Sequence, residues 1–242
     1  MKVQTRETGG PVEGQPGEVD REMKRIRPAV DNQRLSAMSD GVFSIVITLM
    51  VLSIRIPEIA PDRVGQELPQ QLMKMLPDLA TLIISFIILG IYWIGHNNVF
   101  THIIRHDRAL LWLNIFFLMS VATIPYPTTL IVRYGQAQMS VIIYAINLIV
   151  GGVLLDVIWW YGSRNRYLMC ESIGPQLISS FHRRILTGPA IYLLAIGVSF
   201  VSVTAAKLLF VAAVIYYLVP TAQDFFHHRQ LTGLDPVQGG EL

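Results

Sequence analysis

The stretch Arg34–Leu49 (R-L-S-A-M-S-D-G-V-F-S-I-V-I-T-L) places a carboxylate, Asp40, at the start of an apolar run. A carboxylate at membrane depth is costly and seldom faces lipid, so it has a ligand to bind or helices to anchor. The geometry of a helix separates those roles. With Ile45 set at zero and about 100° per residue, Leu49 falls at about +40°, Leu52 at about −20° and Thr48 at about −60°. Asp40 falls at about −140°, nearly behind that stripe, with Ser44 between them at about −100°. This argues against Asp40 as an ion ligand along the Ile45–Leu49–Leu52 seam, and for a buried anchor. Arg34 is six residues from Asp40, a spacing that does not bring side chains together on one straight helix. The stretch I-Y-W-I-G-H-N-N-V-F supplies better partners in His96, Asn97 and Asn98. A hydrogen bond from His96 or an Asn would lower the cost of burying the carboxylate. An ordinary interfacial histidine is the competing reading of His96. The aliphatic stripe also has two readings, helix packing or a hydrophobic constriction, and the residues alone favour packing.

Other reactive groups form no recognisable apparatus. His102 and His106 are spaced i,i+4, but the neighbouring Asp107 lies on another face, so no metal site is expected. Asp156 precedes V-I-W-W-Y-G and is expected at an interface beside the aromatic belt of Trp159, Trp160 and Tyr161. The single Cys170 excludes an internal disulfide framework and CxxC metal sites. No G-x-S-x-G, P-loop or H-E-x-x-H is present, which argues against an enzyme, and no cofactor is expected.

The elements that must carry these residues are membrane helices. The 242-residue chain is 52% hydrophobic and 15% charged, where soluble domains carry about 25% charged residues. A net charge of +2 is too small to suggest nucleic-acid binding. Five apolar runs follow the opening stretch: Leu79–Gly95, Ala109–Val132, Gly135–Leu155, Ile185–Ala206 and Leu208–Gln223. The last two are expected to turn tightly near Thr204–Lys207. Pro125 and Pro127 are expected to kink or end the third span. No sustained period-two alternation suggests a β-barrel. If the opening stretch also crosses, fourteen of the nineteen Lys and Arg fall on one side, which predicts cytoplasmic termini. Without that crossing the basic segments would face opposite sides, so residues 34–56 are expected to span. The expected organisation is a cytoplasmic, disordered N-terminal tail over 1–31, a six-span domain over 32–228 and a cytoplasmic C-terminal tail over 229–242. The N-terminal tail has no signal-peptide core.

The Arg34–Leu49 segment resembles the R-x-x-x-F-S-D motif opening the first helix of the endosomal/lysosomal potassium channel family, the transmembrane protein 175 family, in its prokaryotic branch. Arg34, Ser39 and Asp40 match, and Met38 stands where that family has Phe. The resemblance continues through Y-W-I-G-H-N-N-V-F and L-L-W-L-N-I-F-F-L-M-S-V-A-T-I-P-Y-P-T-T-L-I to about Gln223. It implies an all-α integral membrane protein with six transmembrane helices per subunit, in a homotetramer whose first helices line a central pore. It implies passive, potassium-selective conduction, weak selectivity admitting other monovalent cations as well, with self and membrane lipid as partners in a prokaryotic plasma membrane. It places the constriction at Ile45, with Leu49 and Leu52 as further layers and Ser44 and Thr48 as nearby hydroxyls. It also implies a hydrogen-bonded network joining Arg34, Ser39 and Asp40 to the second span, where His96 and Asn97 lie. Met38, a flexible thioether, puts packing at the pore mouth in question. A secondary or proton-coupled transporter is the alternative. A carrier would be expected to show repeats, broken helices and midplane charge; this sequence shows one kinked span, no repeat, and Asp40 at one end.

Overall fold

The computed structural model describes residues 16–52, 54, 56–165, 168–169 and 174–219, with side chains described from Arg34 onward in the first helix. Its named elements are helices: α1 Pro16–Val51, α2 Val64–His102, α3 Arg108–Ala122, α4 Pro125–Arg133, α5 Gln138–Arg164, α6 Pro175–Ser199 and α7 Val203–Leu218. Among the described residues, four segments are long and apolar enough to cross a membrane: Arg34–Val51, Val64–His102, Arg108–Arg133 and Gln138–Arg164. The apolar α7 is shorter, and it follows α6 through a tight turn.

Local chemistry sets the boundaries. Asp107 caps α3, its Oδ1 accepting from the Leu110 N–H at 2.8 Å, and this satisfies one of the orphan donors of a helix start. Its Oδ2 accepts from the Tyr161 hydroxyl at 2.5 Å, tying α3 to the end of α5. Both oxygens are therefore structural. The third span breaks at Thr123–Ile124, immediately before Pro125 at the first position of α4, as proline geometry requires. Asn147 Nδ2 donates to Thr123 Oγ1 at 2.7 Å and holds the break against α5. The α6–α7 turn lies at Phe200–Ser202, earlier than the Thr204–Lys207 expected from charge. The physical reason is a cap: Ser202 Oγ accepts from the Ala205 N–H and starts α7 there.

One further expectation is corrected. α1 begins at Pro16, inside the segment 1–31 expected to be a disordered tail, so helix precedes the expected domain start at residue 32. Asp156, expected beside the aromatic belt of Trp159, Trp160 and Tyr161, is buried at 7% exposure. Its Oδ1 lies 2.7 Å from His182 Nδ1, which links α5 to α6. The C-terminal tail 229–242, residues 1–15 and Cys170 lie outside the described residues.

α5 is the central element. It packs on α2, α3, α4, α6 and α7, while α1 packs on α2, α3 and α4. Tyr144, Leu148, Ile158 and Trp159 of α5 are fully buried. A Cβ at Gly152 would lie 2.6 Å from Pro189 Cγ, so only glycine lets α5 and α6 approach at that level.

Candidate functional site

One helix face and the bonds behind it make up the site. Along α1, Leu35, Ser39, Phe43, Val46 and Met50 are buried, and they repeat at helical spacing. The opposite face carries Arg34, Met38, Gly41, Ser44, Ile45, Thr48 and Leu49, all exposed, and Leu52, also exposed, stands in the turn just past the helix end. Ile45 is 61% and Leu52 77% exposed. The structure thus brings the three aliphatics and both hydroxyl residues to one surface left open by the described residues, with Met38 beside them. Thr48 Oγ1 donates to the Ile45 carbonyl at 2.8 Å. Its hydrogen is thereby fixed inward, and its lone pairs point away from the helix backbone. A Cβ at Gly41 would meet nothing, so the face is open there as well.

The buried side of α1 is held by a chain of polar contacts across three helices. Ser39 is 1% exposed and donates to the Leu35 carbonyl at 3.0 Å. Asn114 of α3 donates from Nδ2 to Ser39 Oγ at 3.3 Å. Its Oδ1 lies 2.8 Å from His96 Nε2. Because the Asn114 amide already donates to Ser39, its oxygen accepts from His96, which assigns the ring proton to Nε2. The His96 ring is stacked between Phe117 at 5.3 Å and Phe100 at 4.4 Å between centroids, with Phe43 tilted against it at 6.0 Å. Asn97 lies beside this ring, half-buried, and its carbonyl accepts from Thr101.

Asp40 departs from the expectation in its partner. It is half-buried, and its Oδ1 accepts from Trp93 Nε1 at 2.8 Å; His96 is engaged by Asn114 instead. Trp93 is one helical turn before His96, so both stand on the α1-facing side of α2. Asp40 and Ser39 are neighbours in sequence but about 100° apart around the helix, so they meet different residues of that side. Arg34 is exposed on the open face, apart from these buried bonds.

Trp93 and Asn114 are the two residues that sequence reasoning missed. Trp93 was visible as the indole donor at i−3 from His96. Asn114 was visible as the one carboxamide inside the apolar run of α3. His102, considered for metal, sets its Nδ1 against the Asn98 carbonyl at 2.7 Å and its ring edge-on to Phe181 and Trp159. The described residues contain no group of three metal-ligating side chains.

Residues 34–125 match the family model described as "Endosomal/lysosomal potassium channel TMEM175". A protein named potassium channel from Streptomyces collinus is 31% identical over 177 residues, covering 71% of this chain and 84% of that protein. One of the same name from Chamaesiphon minutus is 30% identical over 190 residues, covering 76% of this chain and 93% of that protein. The human endosomal/lysosomal proton channel TMEM175 is 25% identical over 211 residues, which are 85% of this chain and 41% of the human protein. The crystal structure of a lysosomal potassium-selective channel TMEM175 homolog from Chamaesiphon minutus superimposes with a TM-score of 0.68 at 28% identity, covering 78% of this chain and 96% of that one.

Proposed function

This chain belongs to the endosomal/lysosomal potassium channel TMEM175 family and is a multi-pass membrane protein, and we propose that it is a potassium-selective channel conducting passively through a homotetramer lined by α1. The open face of α1 carries this reading. A surface meant for lipid would be uniformly apolar, since a charge there is expensive. This face instead mixes Arg34, Gly41, Ser44 and Thr48 with Met38, Ile45, Leu49 and Leu52, all exposed. Four such faces around an axis give aliphatic rings separated by hydroxyls.

In that arrangement Ile45 forms the narrowest ring, and Leu49 and Leu52 form the layers beyond it. A ring of aliphatic side chains opposes water and hydrated ions, so ions pass only where width and nearby dipoles offset dehydration. Thr48 supplies such a dipole. Its proton is held by the Ile45 carbonyl, which leaves oxygen lone pairs for a cation. Ser44 sits one turn away on the flank of the same face. The Ser39–Asn114–His96 chain and the Asp40–Trp93 bond fix the rotation of α1, and that rotation decides which side chains meet at the axis. The excess of Lys and Arg on one side supports a plasma-membrane orientation with both termini in the cytoplasm.

The test is a reversal-potential measurement on the purified protein in a planar bilayer with opposed potassium and sodium gradients. A reversal potential displaced toward the potassium equilibrium value is expected. Zero current under every gradient, with flux that instead requires a coupled substrate, would replace the channel with a carrier.

A further inference from the structure

A cavity of about 510 Å³ lies between α2, α5, α6 and α7, and α1 contributes no residue to its wall. This volume is within the usual range of about 300–1,000 Å³ for ligand sites. Three tyrosine rings line the cavity, and their hydroxyls differ. Tyr92 donates to the Leu148 carbonyl at 2.5 Å. Tyr217 accepts from the Gly188 N–H at 2.9 Å and donates to the Arg184 carbonyl at 2.8 Å. The Tyr192 hydroxyl makes no hydrogen bond among the described residues, although Tyr192 is only 3% exposed. Buried polar groups are nearly always paired, and a hydroxyl left without a partner in apolar surroundings is costly.

The Tyr192 ring is held in place. It packs on Phe210 at 5.8 Å between centroids. It also folds back over Gly188, where a Cβ would lie 3.6 Å from a Tyr192 ring carbon and 2.9 Å from the Tyr217 hydroxyl oxygen. Glycine at 188 therefore seats both rings against α6. The carboxamide of Asn98, in the α2 wall, is likewise without a hydrogen-bond partner among the described residues. His102 and Arg184, also in the wall, each have interactions of their own. The groups left open to a ligand are thus a hydroxyl and a carboxamide, which call for a neutral partner. The rest of the wall is apolar or aromatic, with Ile91, Ile94 and Phe181 in it.

We propose that this cavity binds an uncharged, membrane-soluble molecule with a flat ring and a ring carbonyl, the chemistry of a quinone headgroup, the carbonyl accepting from Tyr192. A bare acyl chain would leave that hydroxyl unpaired. A ring carbonyl supplies the acceptor, while the ring packs on the aromatic wall, and Asn98 offers a second donor. A few polar groups orienting a ligand in an otherwise apolar site is the usual construction of such pockets. Entry is from the bilayer, since Ile94 in the wall is 54% exposed on a helix long enough to cross it. The site is separate from the α1 face, so binding is read without reference to ion current and does not depend on the channel reading.

The experiment is thermal unfolding of the purified full-length protein in detergent, with decylubiquinone or decylbenzene added, the latter having the same chain on a ring without oxygen. Decylubiquinone at about a hundredfold excess over Kd is expected to raise the Tm by about 5–10 °C, and decylbenzene by much less. Tyr192→Phe keeps the ring and removes the hydroxyl. It should weaken decylubiquinone binding about three- to tenfold, and it should leave the Tm of the ligand-free protein unchanged or higher, because no group loses a partner. No shift with decylubiquinone, equal shifts with the two compounds, or undiminished binding by Tyr192→Phe would overturn the proposal. So would a ligand-free Tm lowered as far as in Tyr217→Phe, because the Tyr192 hydroxyl would then already be paired. A decylubiquinone carrying a photoreactive azide on its ring tests the unaltered protein, whatever the folding of the variant. Adducts on α2 and α6 are expected, and adducts absent from both would place the molecule elsewhere and overturn the assignment.

Discussion

Asn114→Leu tests the buried chain of contacts that runs from α1 through α3 to α2. Leucine is close to asparagine in shape, so packing changes little while both hydrogen bonds disappear. The bond at 3.3 Å to Ser39 is the weaker loss, because Ser39 still donates to Leu35 at 3.0 Å. The 2.8 Å bond to His96 is the larger one. His96 is 1% exposed, and a buried donor left unpaired costs about 1–3 kcal/mol. Pairwise couplings measured between membrane helices average about 0.6 kcal/mol and reach about 1.7. A destabilisation of about 1.5 kcal/mol is therefore expected, or a fall in Tm of about 3–6 °C for a domain of this size. His96→Phe should cost a similar amount by stranding Asn114 Oδ1, since phenylalanine keeps the stacking between Phe100 and Phe117. The double variant removes both partners and leaves nothing stranded. It should be more stable than the sum of the single effects by about 1 kcal/mol, the signature of a direct interaction. Reversible unfolding in mixed micelles, for the four proteins of the cycle, measures this. Strict additivity would refute the contact as the link between α2 and α3.

Other perturbations separate permeation from support. Ile45→Asn should increase leak and weaken potassium preference in bilayer recordings, because a polar ring no longer opposes hydrated ions; unchanged conductance and selectivity would remove Ile45 from the constriction. Asp40→Ala should reduce the tetramer fraction on native gels more than it alters permeation, and Trp93→Phe should do so in the same direction by removing the donor to Asp40. A normal Asp40→Ala tetramer with reversed ion preference would make the carboxylate an ion-selecting group, contrary to an anchor. Tyr217→Phe should lower Tm by about 2–6 °C, since Gly188 N–H and Arg184 C=O lose their shared partner.

Helical spacing alone makes the faces of α1 legible. The stripe of Ile45, Leu49 and Leu52 emerges on the open side, and Asp40 sits on the flank of the packed side, as the angular count requires. The break before Pro125 is equally legible, because proline's missing N–H acts locally. What the sequence obscures depends on pairing between helices. Hydropathy places Trp93 and Asn114 in spans, but nothing local says that an indole meets Asp40 while a carboxamide bridges Ser39 and His96. Asp156 looks interfacial beside its aromatic neighbours, and only the approach of His182 from α6 accounts for its burial. The charge of Lys207 points to a boundary between the last two helices there, whereas the cap at Ser202 determines it. The start of α1 is misplaced for a related reason: polar composition suggests a tail, yet the helix extends back to Pro16.

The central claim is that the open face of α1 lines the ion path. Cysteine accessibility tests it directly, in a background where Cys170→Ser removes the single native thiol. Ile45→Cys and Leu49→Cys channels should lose current when a water-soluble, charged thiol reagent is added, because a modified side chain would fill the narrowest part of the path. Val46→Cys and Met50→Cys, on the buried side, should be unaffected. Block of the buried-side variants with no effect at positions 45 and 49 would contradict the assignment and place the ion path elsewhere in the protein.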